Sequence, residues 1–78
     1  MGCFIEVNMD TVANVIERIF EEMDDLNVKI KKLGTFIYTN DDFSKLSRKQ
    51  KSLLIKQLEV MQEYSRILSC RVEDLYDA

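Results

Sequence analysis

From Val12 onward, apolar residues return at alternating steps of four and three, through Ile16, Ile19, Met23, Leu26, Ile30 and Leu33. That spacing is a heptad seam and predicts a long amphipathic helix. Asp10 can cap its start and Gly34, in the left-handed conformation, can end it, so the helix is expected at about residues 10–33. A second helix is expected at about residues 47–76, opened by Ser47-Arg48-Lys49-Gln50, a capping box in which the serine hydroxyl and the glutamine amide satisfy the first free N–H groups. Its apolar positions fall in two strips: Leu54, Leu58, Met61, Leu68, Val72 and Leu75 on one side, Leu53, Val60 and Ile67 on the other. Between the strips runs a polar row spaced by seven, Gln50, Gln57, Tyr64 and Arg71. Together these span roughly half the helix circumference, where an ordinary core-facing stripe is about 100° wide. One partner helix cannot cover such an arc.

Between the helices, residues 34–46 lose the period. Asn40-Asp41-Asp42 reads as a turn or a cap for one short helical turn that buries Phe43 and Leu46. Two helices of similar length joined by such a linker make an antiparallel hairpin. The fold class is therefore all-α: one helical-hairpin domain over residues 10–78, preceded by a short N-terminal arm over residues 1–9 that carries Cys3, Phe4, Ile5 and Val7. Proline is absent and glycine occurs only at positions 2 and 34, which favours long uninterrupted helices.

At 78 residues a single core is marginal, and oligomerisation, metal or disulfides commonly supply the difference. Metal is disfavoured because there is no histidine, and Cys3 and Cys70 stand at opposite ends of the sequence without metal-ligand or redox spacing. With no signal-peptide pattern at the start, both cysteines are expected as free thiols in a reducing cytoplasm. Met1-Gly2-Cys3 is not followed by the Ser or Thr of a myristoylation signal, since Glu6 stands there. Charges interrupt every apolar stretch well short of a membrane span, so a soluble protein is expected.

Charge adds a direction to the hairpin. Between Lys29 and Lys56 eight basic residues face only Asp41 and Asp42, a net +6, while the remainder carries −9. A hairpin is then positive at its turn end and negative at its termini. Lysines late in the first helix complement its dipole, but Arg48, Lys49 and Lys51 crowd the start of the second, where an anion is favoured instead. That arrangement fits either a phosphate site or a solvated basic patch.

No Ser/His or Cys/His pair, glycine-rich phosphate loop or apolar-flanked carboxylate pair is present, so the chain is not expected to be an enzyme. The negative net charge and the lack of a basic recognition helix argue against polymeric nucleic acid as a partner. For the polar row, three readings stay open. It can specify an oligomer, contact a ligand through Tyr64, Arg71 and Gln57, or lie at the rim of the apolar arc.

The run Leu53-Leu54-x-x-Gln57-x-x-x-Met61-x-x-Tyr64-x-x-x-Leu68-x-x-Arg71, preceded by Lys32-Leu33-x-x-Phe36-Ile37 and Phe43-x-x-Leu46-Ser47, resembles the helical-hairpin family of bacteriophage sponges that counter CBASS immunity. A similar hairpin forms part of the phage sponges acting against Thoeris. The resemblance covers roughly residues 16–72. It implies a homo-oligomer, as a hexamer, that sequesters cyclic di- and trinucleotides such as cGAMP without cleaving them, in the cytoplasm of the infected bacterial host. No cofactor and no membrane partner are implied.

Within that resemblance, Tyr64 and Arg71 match the motif directly, with Asn14 and Arg18 expected near Arg71. Phosphate contacts are expected from the turn end, from Lys29, Lys32, Lys45, Arg48 or Lys49, with Tyr38, Thr39 and Asn40 supplying stacking and hydrogen bonds. Phe20 is the one candidate for a base-stacking aromatic on the first helix. The rival reading is an oligomeric helical adaptor of phage origin, without a nucleotide ligand.

Overall fold

A computed structural model describes residues 9–77, with side chains from Thr11 onward; the proposed N-terminal arm through Asn8, including Cys3, lies outside them. Three helices follow one another: α1 (Met9–Thr39), α2 (Asp41–Ser44) and α3 (Arg48–Asp77). The long helices α1 and α3 pack antiparallel against each other. The molecule measures 51 × 24 × 15 Å.

The heptad seam of α1 is the packed face. Ile19 and Leu26 are buried with Leu68 and Val72 of α3, and Val15, Ile16, Met23, Ile30, Met61 and Leu75 pack around them. Leu58 is buried as well, further toward the turn. Across this contact Ser65 Oγ donates to Asn27 Oδ1 at 3.2 Å, pairing the middle of α1 with the middle of α3 in the register that the core packing sets.

The first helix is longer than the sequence reading. It begins at Met9, so Asp10 stands inside it, and it continues six residues beyond Leu33 to Thr39. Gly34 does not terminate it, and no described residue, Gly34 included, adopts positive φ. The physical reason lies downstream. Leu33, Phe36 and Ile37 carry the half-buried face onward at helical spacing, and the Phe36 ring meets Phe43 edge-on, with centroids 6.0 Å apart. That packing offsets the ~1 kcal/mol by which a mid-helix glycine is disfavoured. The helix stops at Asn40, whose N–H donates to the Phe36 carbonyl at 3.2 Å and whose Oδ1 accepts from the Asp42 N–H at 2.8 Å to cap α2.

Gly34→Ala is therefore expected to stabilise the protein by about 0.5–1 kcal/mol, read as a raised Tm. A β-carbon there meets nothing within 4 Å. A lowered Tm would return Gly34 to a left-handed helix end.

At α3, Ser47 Oγ accepts from the Gln50 N–H at 3.1 Å. The reciprocal bond of the capping box, from the Gln50 amide, does not form among the described residues. Ser47→Ala should accordingly cost about 1 kcal/mol in denaturant unfolding, the effect of losing a helix cap. On the solvent side, Arg66 Nε donates to Glu63 at 3.1 Å and its Nη2 bonds the same carboxylate, which holds Glu63 below the ordinary carboxylate range. A carboxyl lowered in this way supports the fold above its unfolded pKa and loses that support as pH falls through the folded value. With both groups exposed, the effect is small.

Candidate functional site

The α1–α3 packing leaves an open groove on one side of the hairpin, of about 580 Å³, lined by Leu26, Lys29, Lys32, Leu33, Gln57, Met61 and Tyr64. Lys29 and Lys32 stand one turn apart on α1, and Gln57, Met61 and Tyr64 occupy successive turns of α3. The antiparallel register, in which Asn27 meets Ser65, brings these two sets side by side. Leu26, Leu33 and Met61 form an apolar floor. The two ammonium groups, the phenol and the amide are its polar groups.

Each member brings distinct chemistry. Lysine offers three donors and a point charge suited to phosphate oxygens. Tyr64 is 41% exposed, so its ring can take a planar group without disturbing the core. The Gln57 amide can donate and accept at once, and its present partner, the Met61 sulfur at 3.9 Å, is a weak one that a ligand can displace. Among the described residues there is no cluster of three or more His, Cys, Asp or Glu placed to hold a metal ion.

The other sequence-predicted residues lie apart from this groove. Because α1 runs to Thr39, Lys29 and Lys32 sit roughly 10–15 Å along the axis from its end, not at the turn with Lys45, Arg48 and Lys49. For the same reason no basic residue occupies the last turn of α1, so these lysines do not complement the end of its dipole. Tyr38 is exposed at the end of α1, and the Thr39 hydroxyl donates to the Thr35 carbonyl at 2.6 Å. Lys45 pairs with Asp42 at 3.6 Å. Arg48 and Lys49 open α3, where no acidic residue balances them, and Lys49 borders a shallow hollow with Ser52, Leu53, Ile55, Lys56 and Glu59.

Toward the termini, Arg71 lines a separate hollow of about 440 Å³ with Val15, Arg66, Ile67, Cys70, Asp74 and Leu75. It does face the first half of α1 through Val15, but Asn14 lies in another depression, with Phe20 and Tyr76, and Arg18 lines neither. The Cys70 thiol is free and exposed. The polar row is thus divided: Gln57 and Tyr64 belong to the groove, and Arg71 belongs to a different surface. Sequence reasoning placed Leu26, Leu33 and Met61 in the core and did not foresee them as a groove floor; the signal available was that Lys29 and Lys32 flank the seam on the side that an antiparallel partner opens.

Two long helices thus frame a cationic, aromatic-edged groove over apolar side chains. Residues 13–74 match the Sequestin family, and the chain belongs to it; its members are phage proteins that sequester cyclic nucleotides. No curated protein and no solved structure matches the chain. No helix among the described residues is long and apolar enough to cross a membrane.

Proposed function

We propose that this protein binds and sequesters cyclic oligonucleotide second messengers, cyclic dinucleotides or trinucleotides, and so blocks CBASS-type antiviral signalling in the cytoplasm of an infected bacterium without cleaving them. The observation that carries this reading is the juxtaposition of Lys29 and Lys32 with the open face of Tyr64, in a chain whose family sequesters cyclic nucleotides. The lysines meet phosphates, the tyrosine ring stacks on a base, and the Gln57 amide bonds a base edge. Charge-assisted hydrogen bonds are roughly twice as strong as neutral ones, and a stacked base adds about 1–3 kcal/mol. Function is then stoichiometric and reduces to affinity and abundance.

Of the sequence-predicted ligand residues, Lys29, Lys32 and Tyr64 form the primary pocket in this reading. Arg18, Tyr38, Thr39, Lys45, Arg48, Lys49 and Arg71 lie outside it and serve a ligand only in the assembled oligomer, for which the resemblance implies a hexamer.

Calorimetric titration with a panel of cyclic di- and trinucleotides, followed by heat denaturation and recovery of the ligand, tests the proposal. Tight binding with unchanged ligand is expected. Cyclic ADP-ribose belongs in the panel, because one base and a diphosphate also match one ring and two lysines; binding of that compound alone would keep sequestration and replace the ligand class. No binding to any member would leave the adaptor reading, and a cleaved product would make the protein an enzyme.

A further inference from the structure

At its termini end the hairpin leaves aromatic surface open. A depression of about 440 Å³ is lined by Ala13, Asn14, Ile16, Glu17, Phe20 and Tyr76. Two large rings stand free in it, Phe20 at 43% exposure and Tyr76 at 66%. Phe20 precedes Lys29 by nine residues, which at 100° per residue is half a turn out of phase, so this depression and the groove occupy opposite sides of α1. A nucleotide in the groove touches none of this surface.

The described residues begin at Met9, and eight others precede it. Residues 1–5 carry no charged side chain and bring Cys3, Phe4 and Ile5, an apolar run too short to form a core by itself. Asn8 stands directly before the first residue of α1, where an asparagine accepts from the first free N–H groups and the backbone leaves the helical path. Val7 and the half-buried Val12 then hold the two positions of a hydrophobic staple, which turns the chain over the helix instead of prolonging its axis. Reach decides the rest. Five residues back from Asn8 to Cys3 span at most about 17 Å, and the depression runs from about 6 to about 17 Å along α1 from Met9.

We infer that residues 1–8 fold back on their own chain and lay Phe4 and Ile5 on Phe20 and Tyr76. The segment ends where the depression ends, so no second copy is needed to supply it. Its uncharged part covers the rings, while Glu6 stays in the turn, away from Glu17. The contact adds apolar burial to a core that is marginal at this chain length and leaves the groove open on the far side.

Cys3 is a native probe of this contact. In a Cys70→Ser background, Glu17→Cys and Arg18→Cys stand at the same distance along α1, but only position 17 lines the depression. With oxidised glutathione at low protein concentration, Cys3 is expected to close an intramolecular disulfide with the Glu17→Cys thiol at least ten times faster than with that of Arg18→Cys, read as monomeric mass under non-reducing conditions. Phe4→Ser, or Phe20→Ala with Tyr76→Ala, is expected to erase that preference while helix content by circular dichroism is unchanged. Equal rates at the two positions would overturn the fold-back, as would disulfide-linked dimers in place of the closed monomer. A preference that survives Phe4→Ser would also overturn it, since the apolar contact would then not be what holds the segment.

Discussion

Replacing Lys29 and Lys32 together by glutamine is expected to weaken cyclic-nucleotide binding by about a hundredfold, with no change in helix content. Glutamine keeps much of the reach and a hydrogen-bond donor, so the substitution removes charge and little else. Hydrogen bonds to charged groups contribute about 1.5–3 kcal/mol each, and both lysines stand at an exposed rim, which favours the lower figure. Two such losses come to about 3 kcal/mol, or two decades in Kd. Tyr64→Ala should add a loss of about 1–3 kcal/mol, while Tyr64→Phe, which keeps the ring, should lose far less. Calorimetry on the double variant decides the point. If Arg48→Gln with Lys49→Gln produces the large loss instead, the phosphates sit at the turn end and the groove is not the pocket.

The second large effect concerns the scaffold. Leu68→Ala is expected to cost about 2–5 kcal/mol, because Leu68 is the one fully buried side chain among the described residues and sits against Ile19, Leu26 and Val72. Native domains carry only about 5–15 kcal/mol, and one of this length lies toward the bottom of that range. For a domain of 60–100 residues, each kcal/mol lowers Tm by about 4–8 °C, so a fall of at least about 10 °C is expected in thermal circular dichroism. Leu53→Ala is the control. Already half exposed, Leu53 contributes little within one hairpin, and its loss should change Tm by no more than a few degrees.

How far the sequence could be read depends on which energies are local. The seam from Val12 to Leu33 and the capping serine at Ser47 act over a few residues, and both appear in the structure as the packed face of α1 and the cap of α3. Gly34 was misleading for the opposite reason. A glycine after a heptad run signals a helix end by local rules, but Phe36 packing on Phe43 across the turn decides that the helix continues. A helix ending at Gly34 would put Lys29 and Lys32 at the turn. In the molecule they lie along the hairpin body.

The polar row shows the same limit. Its spacing of seven was visible, as was the excess width of the apolar arc on α3. That Gln57 and Tyr64 share a groove with two lysines of α1, while Arg71 faces another hollow, depends on pairing residues nearly forty positions apart. Sequence by itself determined two amphipathic helices, their antiparallel pairing and an α3 with more apolar surface than α1 can cover, because periodicity and caps are properties of short segments. Tertiary structure alone decided where α1 ends, which cations meet Tyr64 and which apolar strip stays open, because these depend on the register of one helix against the other.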